Sequence, residues 1–364
     1  MDAGHPAQTD HVGRCGEKHM TTEAFLEVIR AEPADRADLF LTTARRLGSP
    51  LINIEKDFWV CWTLNTLYHR LPKGGPRLLF KGGTSLSKAY GLINRFSEDI
   101  DVTVFRDDLG HPGSTAEIAA LSNKKRKAAL DAIAADCSRY ITTELLEAVA
   151  EILVADTGGT GRVEIDDSDP SSQTLLVWYP RVDASETGYV QAAVKIESGA
   201  KSALDPNRPV TIGPYIDADL EALDLSVPDV TTIHAERTFW DKIVIVHGLR
   251  NWFERRGELR QDGQRISRHY YDLHSLLLSD VGASAVADLA LGADCIEHAR
   301  TFFSRPDYDL AAAAPGTYAL RPVGHMIDRL ARDYDNTRAM IFGDAPDFGD
   351  ILSSIDEIED RLNG

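Results

Sequence analysis

Cysteine is scarce in this chain: Cys15, Cys61, Cys137 and Cys295 are scattered over 364 residues, with no CxxC pair among them. That spacing excludes a disulfide framework or a zinc knuckle and suits a reducing, cytoplasmic setting. No stretch approaches the ~20 unbroken apolar residues of a membrane span, so no membrane partner is expected. Residues 1–20 lack an apolar core and so do not form a secretory signal; they read as a flexible leader, with Met20 a second candidate start. Positive charge is also short. Lys and Arg total 39 against 57 Asp and Glu, a net −18. This excludes a surface that binds nucleic acid all over, while leaving room for one local basic groove. The remainder is an ordinary globular mixture, 43% hydrophobic and 26% charged, which rules out a largely disordered chain.

The length predicts about two domains. A helix is expected from Thr21 and a second from Ser49–Pro50 onward, where Leu51, Ile54, Phe58, Cys61, Trp62, Leu64 and Leu67 recur at helical spacing. Leu78–Phe80 reads as a buried strand running into Lys81-Gly82-Gly83-Thr84-Ser85, and then a short helix through Ile93. Residues 97–104 alternate as a half-buried strand does. Residues 117–153 read as helix, and Thr174–Tyr179 and Tyr189–Glu197 as strands. Pro206, Pro209, Pro214 and Pro228 suggest a loop-rich passage, and the chain reads helical from Ile233 to its end. The expected division is a leader (1–20), a mixed α/β domain with N-terminal helices (21–230) and a helical domain (231–364).

Two elements carry chemistry. The first is the strand–Gly82-Gly83-Thr84-Ser85–helix turn, with Lys88 one turn further on. Paired glycines let the backbone approach a ligand, free N–H groups at the helix start favour an anion, and the two hydroxyls and Lys88 add donors and charge. A plain β–α turn has the same pattern. The second is Asp99-Ile100-Asp101. On a strand both carboxylates share one face, where they raise each other's pKa unless a cation such as Mg²⁺ sits between them and a substrate's phosphates. An exposed strand edge with solubilising acids is the alternative. A phosphate turn and paired carboxylates at one end of a sheet meet the needs of a nucleoside triphosphate (NTP) with its metal.

Phe80-Lys81-Gly82-Gly83-Thr84-Ser85-Leu86-Ser87-Lys88, followed by Arg95-Phe96-Ser97-Glu98-Asp99-Ile100-Asp101, resembles the AbiEii/AbiGii toxin family of nucleotidyltransferases. Glu55–Trp59 resembles that family's upstream helix and Val194–Lys201 its third strand. Glu236–Lys242 and Arg268–Leu273 resemble its two C-terminal motifs, with Lys201 and Asp241 in place of the usual Arg and Glu. The resemblance implies an α+β fold: a nucleotidyltransferase-type mixed sheet with flanking helices and a helical C-terminal domain. It implies catalytic roles for Asp99, Asp101, Glu197, Lys242 and Asp272, with Asp99, Asp101 and Glu197 as ligands of Mg²⁺. Gly82, Gly83, Thr84, Ser85, Lys88 and Ser97 would bind the nucleotide. Lys242, on a helix face that is usually solvated, becomes a phosphate ligand, and Asp272 an acid that orients it or the metal shell. The activity implied is that of the toxin half of a toxin–antitoxin or abortive-infection pair. It would transfer a nucleoside monophosphate from an NTP to the 3′ end of tRNA and block translation, and a cognate antitoxin would be encoded nearby.

From Arg250 to Arg268 six arginines stand against three acids, with Trp252, Phe253, Tyr270 and Tyr271 among or beside them. Arginine with aromatics suits RNA phosphates and unpaired bases, which makes Arg255, Arg256, Arg260, Arg265 and Arg268 candidate RNA contacts. A solvated helix pair laced with salt bridges fits the same composition. Arg237 is expected in an internal ion pair, and His234, His247, His269 and His274 match no metal motif. Three other readings stay open at this point: transfer to a protein hydroxyl, an inactive NTP-binding regulatory module, and modification of a small molecule.

Overall fold

The computed structural model describes residues 21–182, 192–260 and 264–364. The expected leader, and the first part of the strand expected at Tyr189–Glu197, lie outside them. A helix through 21–30 (α1) leads into α2 (Pro33–Leu47) and α3 (Leu51–Asn65). Every α3 residue from Ile52 to Asn65 is buried, so this helix is packed on all sides and is not a surface layer. Its polar residues Glu55, Lys56 and Asp57 are carried inside with it.

After β1 (Leu78–Lys81), α4 (Gly82–Lys88) and β2 (Asp99–Val104), helices α5 (Thr115–Ala119), α6 (Asn123–Tyr140) and α7 (Leu146–Asp156) intervene. Then come β3 (Arg162–Ile165), β4 (Thr174–Trp178), β5 (Ala193–Gly199), β6 (Asn207–Ile212) and β7 (Val227–Ile233). The seven strands form one mixed sheet in the order β3-β4-β5-β2-β1-β7-β6. β2 runs parallel to β5 and β1 parallel to β7, whereas β1 and β2 are antiparallel. The chain ends in α8 (Ala235–Arg256), α9 (Arg268–Leu277), α10 (Asp280–Ala287), α11 (Leu289–Phe302), α12 (Met326–Arg338) and α13 (Phe348–Asn363).

The fold is therefore α+β, with the expected mixed sheet, flanking helices and helical C-terminal part. Three strands escape the sequence reading. β6 and β7 fall in the proline-rich passage that reads as loop. β6 is an edge strand, where Pro209 withholds an N–H without breaking a ladder, and Pro228 sits at the start of β7. β3, at the opposite edge, is only four residues long.

Two main apolar cores form. One joins α1–α3, α6, α7 and the sheet. The other joins α8–α13, and it also receives Leu86 and Ile93 from the segment between β1 and β2. That segment is stitched to the C-terminal part by the backbone: Phe96 donates to the Met340 carbonyl and Phe342 to that of Asn94, each at 2.7 Å. The loop ahead of β2 is thus held by both bodies. Cys61, Cys137 and Cys295 are buried free thiols.

Candidate functional site

Strand register brings the acids together. Asp101 on β2 is paired with Lys81 on β1 and with Glu197 on β5, so these three residues form one row across adjacent strands. Asp99 lies two residues before Asp101 on the same face, while Ile100 between them is fully buried in the core. Two lysines share this face: Lys81 Nζ is 3.7 Å from Asp101 Oδ1, and Lys195 Nζ is 3.3 Å from Glu197 Oε1. Burial pushes the Asp99 carboxyl up to about 6, with Glu98, Glu197 and Asp101 adding to the effect and Lys56 opposing it. Among the described residues no three His, Cys, Asp or Glu side chains are gathered so as to cage a metal unaided. The expected Asp99–Asp101–Glu197 set is thus a row of acids partly engaged by lysines, a donor set that fits a divalent cation completed by substrate phosphates.

The glycine turn abuts this row. Gly82 has φ +79°, and a Cβ built on it would meet Asp101 Oδ2 at 1.9 Å. A Cβ on Gly83 would meet Arg95 Nη2 at 2.3 Å. Gly82 is therefore favoured by its left-handed backbone as well as by space, and Gly83 by space alone. The Thr84 and Ser85 hydroxyls are used internally. Thr84 Oγ1 contacts the Asp99 carbonyl and lies 2.7 Å from Ser97 Oγ, and Ser85 Oγ donates to the Gly82 carbonyl at 2.9 Å. Ser97 precedes the strand rather than lying on it. These bonds tie the turn to β2; at the start of α4, Gly82 and Gly83 are half-buried, whereas Thr84 and Ser85 are buried.

Lys88 departs from expectation. Its ammonium is buried, 2.6 Å from Asp57 Oδ1 and 3.7 Å from the Tyr215 ring centre. Because α4 turns this side chain toward α3, Lys88 locks the two helices together and does not reach the anion turn.

Behind the turn lies a buried charge cluster. Arg95 grips Asp272 with both arms of its fork, Nε to Oδ1 at 2.8 Å and Nη2 to Oδ2 at 2.9 Å. Lys242 Nζ lies 2.6 Å from the same Oδ2. Burial would raise the Asp272 carboxyl, but Arg95 and Lys242 hold it far below the usual range. Burial, Arg95 and Arg268 lower the Lys242 ammonium, against Asp272. Burial together with Lys242 and Arg268 keeps His269 neutral. Next to Asp99, Glu98 is held from two sides: Lys56 Nζ at 2.8 Å and Arg265 Nη2 at 3.3 Å. Despite its burial these cations keep the Glu98 carboxyl below the usual range. Lys56, Lys81, Arg95 and Glu98 are site residues that sequence reasoning left unassigned, although all four fall inside the motifs it quoted.

The expected basic stripe divides. Arg255 pairs with Asp309 at 2.7 Å and Arg256 with Asp307 at 2.6 Å, while Arg260 bonds the Tyr308 hydroxyl at 2.5 Å. The 306–309 segment thus takes up these three arginines. Arg265 and Arg268 instead line a small cleft with Arg95, Ser97, Asp99 and Met340. Among the described residues no carboxylate lies within ion-pair distance of Arg268. Phe253, Tyr270 and Tyr271 are core residues and cannot stack on a base. Arg237 is internally paired, with Asp294 and Asp241.

The model of the AbiEii family, described as nucleotidyl transferase AbiEii toxin of type IV toxin–antitoxin systems, matches residues 65–360. Among solved structures the chain is similar to the nucleotidyltransferase toxin MenT4 from Mycobacterium tuberculosis H37Rv. Identity is 16%, the TM-score is 0.44, and the match covers 89% of this chain and 97% of that one. No curated protein matches.

Proposed function

Because the chain belongs to the AbiEii family of nucleotidyltransferase toxins of type IV toxin–antitoxin systems, we propose that it transfers a nucleoside monophosphate from an NTP to a hydroxyl of RNA, the 3′ end of tRNA, breaking the α–β phosphoanhydride bond and releasing pyrophosphate, and so blocks translation. The observation that carries this reading is the row Lys81–Asp101–Glu197 meeting the Gly82–Gly83 turn. Carboxylates and an anion turn in contact are what a nucleotide's phosphates need. Asp99, Asp101 and Glu197 would hold Mg²⁺, which supplies neutralisation of the phosphates and activation of the acceptor hydroxyl.

The chain's own residues have distinct tasks in this reading. The half-buried Gly82–Gly83 backbone receives the phosphate oxygens, and Thr84 and Ser97 fix the turn against the strand. Lys242 offers its ammonium to the charge that grows on the transferring phosphoryl group. Asp272 orients that ammonium. Arg268, with Arg265 beside it, receives the phosphate backbone of the acceptor. In this reading a 21–230 transferase domain and a 231–364 helical domain would share the cleft lined by Ser97, Asp99, Arg265 and Arg268, and the acceptor would enter there. A cognate antitoxin would oppose the activity.

Incubation with α-labelled NTPs, total RNA and total protein tests the reading. Label in the small-RNA fraction, lost in Asp101→Asn, is expected. Label in protein, or none, overturns it.

A further inference from the structure

The Arg95–Asp272–Lys242 cluster contains two cations and one carboxylate, and all three side chains are at most 7% exposed. A neutral buried pair would need only one of the cations. The second sits where its geometry matters. Arg95 fixes both oxygens of Asp272, and Oδ2 then accepts from Lys242 as well. A carboxylate held by Lys242 alone would be free to rotate about its last torsion, whereas a side-on guanidinium fork removes that freedom. Arg95 is itself pinned, since its backbone bridges to Ile341 and its neighbours Asn94 and Phe96 bond the 340–342 segment. Its Nη2 also occupies the space a side chain at position 83 would take. The glycine turn, the fork and the carboxylate thus form one rigid train from the phosphate site to the lysine.

We infer that Arg95 is a positioning residue for nucleotidyl transfer: by fixing both oxygens of Asp272 it sets the ammonium of Lys242 against the transferring phosphoryl group. The inference rests on the reading of this centre as the transfer site. Because the effect is on geometry in the transition state, it belongs in kcat and not in nucleotide binding.

The test uses the full chain, α-labelled NTP and total RNA, with kcat expressed per folded molecule and KM measured for the NTP. Arg95→Gln leaves Asp272 and Lys242 as a charge-balanced pair and is expected to fold. It should lose on the order of 100-fold in kcat with KM changed by less than about threefold. Arg95→Lys keeps the charge but not the fork, and should be as slow. Gly83→Ala, whose methyl presses on Nη2, should reproduce the kcat loss. Parental kcat in Arg95→Lys, or a loss confined to KM, overturns the inference, and Arg95→Lys decides the matter even if Arg95→Gln does not fold. Asp101→Asn is run beside them. If it still transfers label, the assigned centre falls and the inference with it; if it is dead while the Arg95 variants run at the parental rate, only the role of Arg95 falls.

Discussion

Gly82 and Asp101 are in such close contact that one methyl group on the glycine would lie 1.9 Å from the carboxylate oxygen. The glycine also sits at φ +79°, where an L side chain costs roughly 1–2 kcal/mol. Gly82→Ala is therefore expected to displace Asp101, lower stability by about that amount, and reduce nucleotide transfer at least about tenfold. Urea unfolding and the label-transfer rate measure the two effects separately.

Asp272 is fully buried between two cations. Asp272→Asn leaves Arg95 and Lys242 facing each other without a counter-charge, and should cost about 3–5 kcal/mol. Lys242→Met leaves a balanced Arg95–Asp272 pair and should cost much less while abolishing transfer. Chemical denaturation of both variants checks the order; equal losses would contradict this charge balance.

The Asp99 carboxyl, near 6 against an ordinary 3.8, gives a pH signature in chelator. The folded state holds this proton more tightly than the unfolded chain, so the group's relative contribution to stability is present at low pH and lost as pH rises from about 4 to 6. Asp99→Asn removes that loss. The stability of the variant relative to the parent should therefore grow from pH 4 to pH 7. Added Mg²⁺ should raise the Tm of the parent and leave that of Asp101→Asn nearly unchanged.

Much of this was legible in the residues. Gly82-Gly83 and Asp99-Ile100-Asp101 announce a turn and a shared strand face, and the structure puts the two in contact. The partners of those motifs were not legible. Lys88 has the right spacing for a phosphate ligand, but it is consumed by Asp57, a residue 31 positions earlier in a helix whose burial makes any nearby cation valuable. Arg95 lies in a loop with no periodicity, and its value depends on Asp272, 177 positions away. Pro209 reads as a breaker because sequence alone does not say which strand lies at an edge.

The arginines divide into paired and available. Arg255 and Arg256 are engaged by Asp309 and Asp307 at an exposed surface. Alanine at either should cost about 0–1 kcal/mol and leave RNA labelling intact. Arg268→Ala should weaken RNA use, seen as a several-fold higher KM for RNA and a shallower salt dependence, with the KM for NTP unchanged. The reverse pattern would move the acceptor path to the 306–309 side.

The most direct measurement is transfer of α-labelled nucleotide to purified tRNA with Mg²⁺, comparing the parent with Asp99→Asn, Asp101→Asn and Glu197→Gln, each verified as folded. Labelled tRNA 3′ ends are expected for the parent, with a loss of at least about a hundredfold for each variant. Undiminished labelling by any of the three would contradict a centre built on these carboxylates.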